Sequence, residues 1–188
     1  MPDDILADPV DIVLITGPAG IGKSTLTWEV GALLAAAGIA HAIVETDELD
    51  RVYPLPSRTE LDGLRPGTLD VSTLNLAAIW ATYRALGHRR LIMSGVMVHL
   101  DSDRRWILAA IPEARITVVR LEAGESTLLE RLRQREIGAG LEAQFQRTLV
   151  QAQRMAGEGE NGAIRLTTDG RSPQLLARLL LDELGWVP

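Results

Sequence analysis

The sequence predicts an α/β fold, a mainly parallel sheet with helices on both faces, and three observations predict it. Apolar runs of strand length alternate with stretches of helical periodicity along the chain. The first run, Ile12-Val13-Leu14-Ile15, is apolar at every position, as a central parallel strand buried on both faces must be. A glycine-rich loop, Gly17 to Thr25, joins that strand to the first helix with the spacing G-x-x-x-x-G-K-S of a P-loop.

The elements follow in order. After a short leader with two prolines, the first strand runs from Ile12 to Thr16, and a helix from Gly22 to about Ala37 carries Leu26, Val30, Leu33 and Leu34 on one face before Gly38 stops it. Ile39 to Val44 is the second strand, ending in the acidic stretch Glu45-Thr46-Asp47-Glu48-Leu49-Asp50. The segment from about 50 to 70 is mostly loop, since Pro54, Pro56, Gly63, Pro66 and Gly67 interrupt it, with a short helix begun by the capping box Ser57-Arg58-Thr59-Glu60. Asp70 or Ser72 caps a helix to about Leu86, and Leu91 to Val98 is the third strand. A helix over about 102–110 ends before Pro112, and Ile116 to Leu121 is the fourth strand. Helices over about Ser126 to Glu136 and Leu141 to Ala156 precede a fifth strand, Ala163 to Thr167; Ser172 and Pro173 open a last helix that stops near Gly185.

At 188 residues the chain is read as one domain, 1–188, long enough to bury a core. A net charge of −6 argues against a sequence-independent nucleic-acid binder, so a small-molecule partner is expected, and no nucleic acid. The chain has no cysteine, which excludes disulfides and thiolate metal sites. Its first residues, Met1-Pro2-Asp3-Asp4, are acidic where a signal peptide is basic, and no run approaches the ~20 apolar residues of a membrane span. A cytoplasmic protein without a membrane partner, monomeric or homodimeric, is expected.

Chemistry concentrates on Gly17, Pro18, Ala19, Gly20, Ile21, Gly22, Lys23, Ser24 and Thr25. Glycines let successive backbone N–H groups turn inward onto a phosphate, and the helix N-terminus adds the positive end of its dipole. Lys23 is placed to reach the β- and γ-phosphates and Ser24 to offer its hydroxyl to Mg²⁺. Lys23 is also the only lysine in a chain whose other cations are arginines. A compact ammonium fits a phosphate cradle where a forked guanidinium does not.

Absences narrow the class. A guanine-reading Asn-Lys-x-Asp is impossible in a chain whose lone lysine is Lys23, and neither the third strand, ending in Ser94-Gly95, nor the fourth, ending in Arg120-Leu121-Glu122, carries the Asp-Glu of motor and ring ATPases. The acidic cluster follows the second strand instead. Asp47, read as standing at the end of the strand beside the P-loop, is placed to orient an acceptor hydroxyl as a base or to act as an outer Mg²⁺ ligand, with Asp50 as the second choice; capping the turn after the strand is its plainer role. Arg131 and Arg135, four apart on one helix face, suit a lid that neutralises charge during phosphoryl transfer, and ion pairing with Glu130 and Glu136 is the alternative.

Taken together, these residues resemble the P-loop small-molecule kinases, the group of shikimate, gluconate and adenylylsulfate kinases and chloramphenicol phosphotransferase. The resemblance implies a P-loop NTPase fold, a five-stranded parallel sheet in the order 2-3-1-4-5 flanked by helices, with a helical lid over about 131–157. It implies ATP and Mg²⁺ as cofactors, a catalytic aspartate like Asp47, lid arginines like Arg131 and Arg135, and adenine near a loop like Asp169-Gly170-Arg171. The acceptor pocket is expected from the 50–70 segment and the end of the third strand, with Asp50, Arg51, Tyr53, Arg58, Arg65 and His99 as candidates. Trp28, Trp80 and Trp106 are expected to pack helices onto the core. The function expected is an ATP- and Mg²⁺-dependent phosphotransferase acting on a hydroxyl of a metabolite, nucleoside or antibiotic. The alternative is a nucleotide-binding regulator or slow ATPase without an acceptor, which turnover stimulated by an acceptor would exclude.

Overall fold

The computed structural model describes residues 9–135, 140–157 and 162–187. Five strands, β1 (Val10–Thr16), β2 (Ala42–Glu45), β3 (Arg90–Gly95), β4 (Ala114–Glu122) and β5 (Ile164–Thr167), form one sheet in the order β2-β3-β1-β4-β5. All four pairings are parallel, and β1 lies at the centre with Thr16 level with Gly95 on one side and Arg120 on the other.

Alternation along β1 divides the core in two. Val13 and Ile15 face α1 (Lys23–Ala36) and α7 (Pro173–Leu184) through Leu26, Val30, Leu34, Leu176 and Leu180. Ile12 and Leu14 face α3 (Val71–Ala85) and α4 (Leu100–Ala110) through Leu76, Trp80, Leu100 and Ile107. Val13, Leu14 and Ile15 are wholly buried, each worth about 1.5–3 kcal/mol of transfer free energy. The chain also carries α2 (Arg58–Leu64), α5 (Glu125–Arg135) and α6 (Leu141–Gly157).

Local signals account for the starts of α2, α3 and α7. Ser57 and Glu60 form the complete capping box of α2, the Asp70 carboxylate accepts from the Ser72 N–H at 2.8 Å, and Ser172 caps α7 with Pro173 in its first turn. Gly185 ends α7 in the left-handed region, as expected.

Several boundaries differ from expectation. β2 starts at Ala42 rather than Ile39, because the Ile39 N–H closes the end of α1 by donating to Leu34 at 2.9 Å. β3 ends at Gly95 rather than Val98: the Met97 N–H donates to the Thr16 hydroxyl at 3.0 Å and the hydroxyl donates to the Met97 carbonyl at 3.2 Å, so a side chain replaces the strand partner. α4 consequently begins at Leu100, two residues earlier than predicted. Trp80 is buried and Trp106 packs against the core as expected, but Trp28 is 64% exposed, since its position on α1 falls outside the Leu26–Val30–Leu34 face.

Candidate nucleotide and phosphate site

The P-loop joins β1 to α1 at the carboxyl edge of the sheet, where open α/β sheets bind ligands. Gly20 and Gly22 hold φ of +78° and +105°, a region that costs any other residue strain, and a Cβ on Gly20 would also press on Leu132 at 2.9 Å. Gly22 is the N-cap of α1 and supplies no side-chain cap, and the first turn carries no acidic residue. The start of α1 thus carries neither a side-chain cap nor a negative charge that would compete with an external anion.

Lys23 lies back across the loop, its Nζ donating to the carbonyls of Gly17 at 3.0 Å and Pro18 at 3.1 Å. The adjoining cavity, about 450 Å³, is lined by the loop from Gly20 onward, by Arg131, and by Thr168, Arg171 and Pro173 beyond β5. Ser24 and Thr25 are exposed at its mouth. The donors present, one ammonium, two guanidiniums and a helix start without a side-chain cap, suit a polyphosphate. No group of three or more His, Asp or Glu able to hold a metal occurs among the described residues. A Mg²⁺ bound through one hydroxyl, phosphate oxygens and water needs no such group, and Ser24 fits that role.

Arg131 sits in this cavity, but already engaged. Its Nη1 donates to the Ile21 carbonyl and to Thr168 Oγ1, both at 2.8 Å, and its Nη2 to the Thr168 carbonyl at 3.2 Å. One guanidinium thus ties the P-loop to the loop after β5. Arg135 closes α5 one turn on, and its side chain lies outside the described residues. Of the loop Asp169-Gly170-Arg171, Arg171 lines the cavity, whereas Asp169 turns away to accept the Gly124 N–H at 2.9 Å. The Thr127 hydroxyl, the Gly124 N–H and, more weakly, the Arg131 charge hold its carboxyl below the usual range, against a smaller opposing effect of burial.

Asp47 lies in a 3₁₀ turn (Thr46–Glu48) after β2, exposed. The expected neighbourhood needs one correction: β3 stands between β2 and β1, so Asp47 is two strand spacings, ~10 Å, from the strand that carries the P-loop. Gly95 makes the intervening edge thin. A Cβ there would stand 1.8 Å from the Thr46 hydroxyl, which explains why β3 ends in glycine rather than in an acid.

The acceptor-side candidates are scattered. Asp50, Tyr53 and Arg58 are exposed, Tyr53 at 97%; Arg51 pairs with Glu48 at 3.1 Å across two exposed side chains; His99 is the exposed N-cap of α4. Arg65 is committed elsewhere, its Nη2 donating to the Ala109 carbonyl of α4 at 3.0 Å. A further opening of about 520 Å³ lies at the amino ends of β3 and β4, where Arg84 and Glu113 pair with each other.

Two contacts near the loop have no counterpart in the sequence reading. The Ala19 N–H donates to Gln151 Oε1 on α6 at 3.0 Å, and the buried Arg120 at the end of β4 donates to the Met155 carbonyl. Gln151 stands among four glutamines on a polar helix, with no local pattern to single it out.

No family model and no curated protein matches the chain by sequence. Solved structures match over almost its whole length. The tunicamycin resistance protein of Deinococcus radiodurans is similar with a TM-score of 0.61 at 20% identity, covering 94% of this chain and 96% of its own. A gluconokinase from Sinorhizobium meliloti is similar with a TM-score of 0.57 at 20% identity, covering 95% and 93%. The APS kinase of Mycobacterium tuberculosis, solved in complex with AMPPNP and APS, is similar with a TM-score of 0.56 at 21% identity, covering 94% and 98%. The fold is that of the P-loop small-molecule kinases, with the 2-3-1-4-5 sheet that the resemblance implied.

Proposed function

We propose that this protein is an ATP- and Mg²⁺-dependent phosphotransferase that moves a γ-phosphate to a hydroxyl of a small molecule. One observation carries the reading: an uncapped α1 N-terminus and Lys23 meet in a cavity at the P-loop, with Asp47 across the thin Gly95 edge. Similarity to kinases such as the gluconokinase and the APS kinase supports the phosphotransfer class and leaves the acceptor to be identified.

Each residue then has a role that its chemistry permits. The loop N–H groups and Lys23 bind and orient the phosphates, and Ser24 would offer its hydroxyl to a bound Mg²⁺, which would supply charge neutralisation there. Arg131 holds the wall of the cavity through Ile21 and Thr168 and contributes positive charge beside it. Arg135 is assigned to the lid on its position in α5 alone. Asp47 orients the acceptor hydroxyl and accepts its proton as that oxygen bonds to the γ-phosphorus, while the bond from the γ-phosphorus to the β,γ-bridging oxygen breaks and ADP leaves. Asp50, Arg51, Tyr53, Arg58 and His99 remain candidates to line the acceptor's approach, and Gly170 and Arg171 the adenine end. The protein is expected to be cytoplasmic.

The test is an acceptor panel with ATP and Mg²⁺, read by product mass. An acceptor should raise ATP turnover and gain one phosphoryl group. Asp47→Asn should lower kcat by about 10²–10⁴-fold, the usual weight of a general base, with ATP affinity within twofold of the parent. Turnover indifferent to every acceptor would leave a slow ATPase, and full activity in the variant would remove Asp47 from the reaction.

A further inference from the structure

The bond between Ala19 and Gln151 plays no part in that mechanism. It spans 132 positions of sequence, and it takes an N–H from the P-loop itself. The position of Lys23 tells which end of the loop this is. Its ammonium is held by the carbonyls of Gly17 and Pro18, the two residues before Ala19, and in this motif the lysine reaches the β- and γ-phosphates. The corner Gly17–Ala19 therefore borders the terminal phosphate, while the N–H groups from Gly20 onward cradle the inner ones.

Gln151 is held firmly at that corner. Met155, one turn further along α6 and on the same face, accepts a bond through its carbonyl from Arg120, a side chain only 2% exposed at the end of β4. Thr148, one turn before, is fully buried. The face that carries Gln151 is thus docked on the sheet and the loop at once.

A carboxamide has a feature that this place requires. Its oxygen accepts the Ala19 N–H, and its nitrogen still carries two donors, for which the described residues supply no acceptor. An arginine, the cation this chain uses almost everywhere, could not accept from Ala19, and a glutamate could not donate to a phosphate. Only a side chain with both functions can be anchored on the loop and bind an anion beside it.

We propose that Gln151 is a further nucleotide-binding residue, which donates from Nε2 to the terminal phosphate of a bound triphosphate while Oε1 stays anchored on Ala19. The inference rests on the reading of Gly17 to Thr25 as a triphosphate site, and it makes α6 the element that distinguishes a triphosphate from a diphosphate.

The experiment measures binding of ADP and of AMPPNP, each with Mg²⁺, to the full chain and to two variants. Gln151→Leu should weaken AMPPNP about tenfold or more, the factor of one hydrogen bond to a charged group, and leave ADP within about twofold. Gln151→Glu keeps the acceptor for Ala19 but loses the donor, so it should retain the fold and weaken AMPPNP at least as much. Equal losses for both nucleotides, or wild-type AMPPNP binding in Gln151→Glu, would reduce Gln151 to a structural latch and overturn the proposal. If the unaltered chain binds neither nucleotide, the triphosphate site itself falls and this inference with it.

Discussion

Single residues at this site are chosen by what they can donate or accept. Lys23 can bridge two carbonyls and still turn toward a phosphate, because an ammonium has three donors on a flexible stem. Asp169 works in the opposite sense, as an acceptor that closes the loop after β5 onto the start of α5. The Thr127 hydroxyl and the Gly124 N–H bind its charged form, so its folded carboxyl loses its proton more readily than the unfolded one. Stability from that difference is fully present above the ordinary aspartate range and disappears as the pH falls through the lowered folded value. Asp169→Asn should therefore have a lower urea midpoint than the parent at neutral pH, with the gap narrowing on the acid side of that range. A gap independent of pH would show that shape, not charge, makes the contact.

Elements meet where small residues let them approach. The end of β3 touches the turn after β2 because Gly95 leaves room for the Thr46 hydroxyl. Gly95→Ala should cost about 1–3 kcal/mol by overpacking, since the new Cβ would meet the hydroxyl of the short, buried Thr46 side chain and Gly95 is itself buried. The same change made in a Thr46→Ala background should cost much less, and thermal unfolding of the four proteins of that cycle measures the coupling. Equal costs in the two backgrounds would exclude the contact as the cause. Because Asp47 follows Thr46 directly, Gly95→Ala should also displace the proposed base, so activity is expected to fall further than stability. α5 and α6 are instead docked through polar ties: Arg131 joins α5 to Ile21 and Thr168, Gln151 joins α6 to Ala19, and Arg120 joins β4 to Met155 of α6.

For the whole molecule, the proposed nucleotide site would link ligand binding to folding. A nucleotide that binds only the folded chain stabilises it by about 2.7 kcal/mol at a hundredfold excess over Kd. For a domain of this size that is a rise in Tm of roughly 5–10 °C. The rise should appear with ATP and Mg²⁺, and Lys23→Ala should remove most of it while keeping the ligand-free Tm within a few degrees. A variant stabilised as much as the parent would remove Lys23 from the site.

Much of this architecture was legible in the chain because it depends on local pattern. Unbroken apolar runs mark central parallel strands, Ser57 to Glu60 and Ser172-Pro173 mark helix starts, and Gly17 to Thr25 can be read as a phosphate loop because its function is carried mainly by its own backbone and one lysine. Strand order was legible only through the resemblance, since periodicity does not say which parallel strands are neighbours. What the sequence determined by itself is therefore the set of elements, their buried faces and the phosphate loop, all properties of near neighbours in the chain. Only the tertiary structure decided that Trp28 faces outward, that Arg65 is held by α4, and that Gln151 meets Ala19. Those facts depend on groups brought together from distant positions, and a contact of that kind leaves no periodic trace in either of the segments that make it.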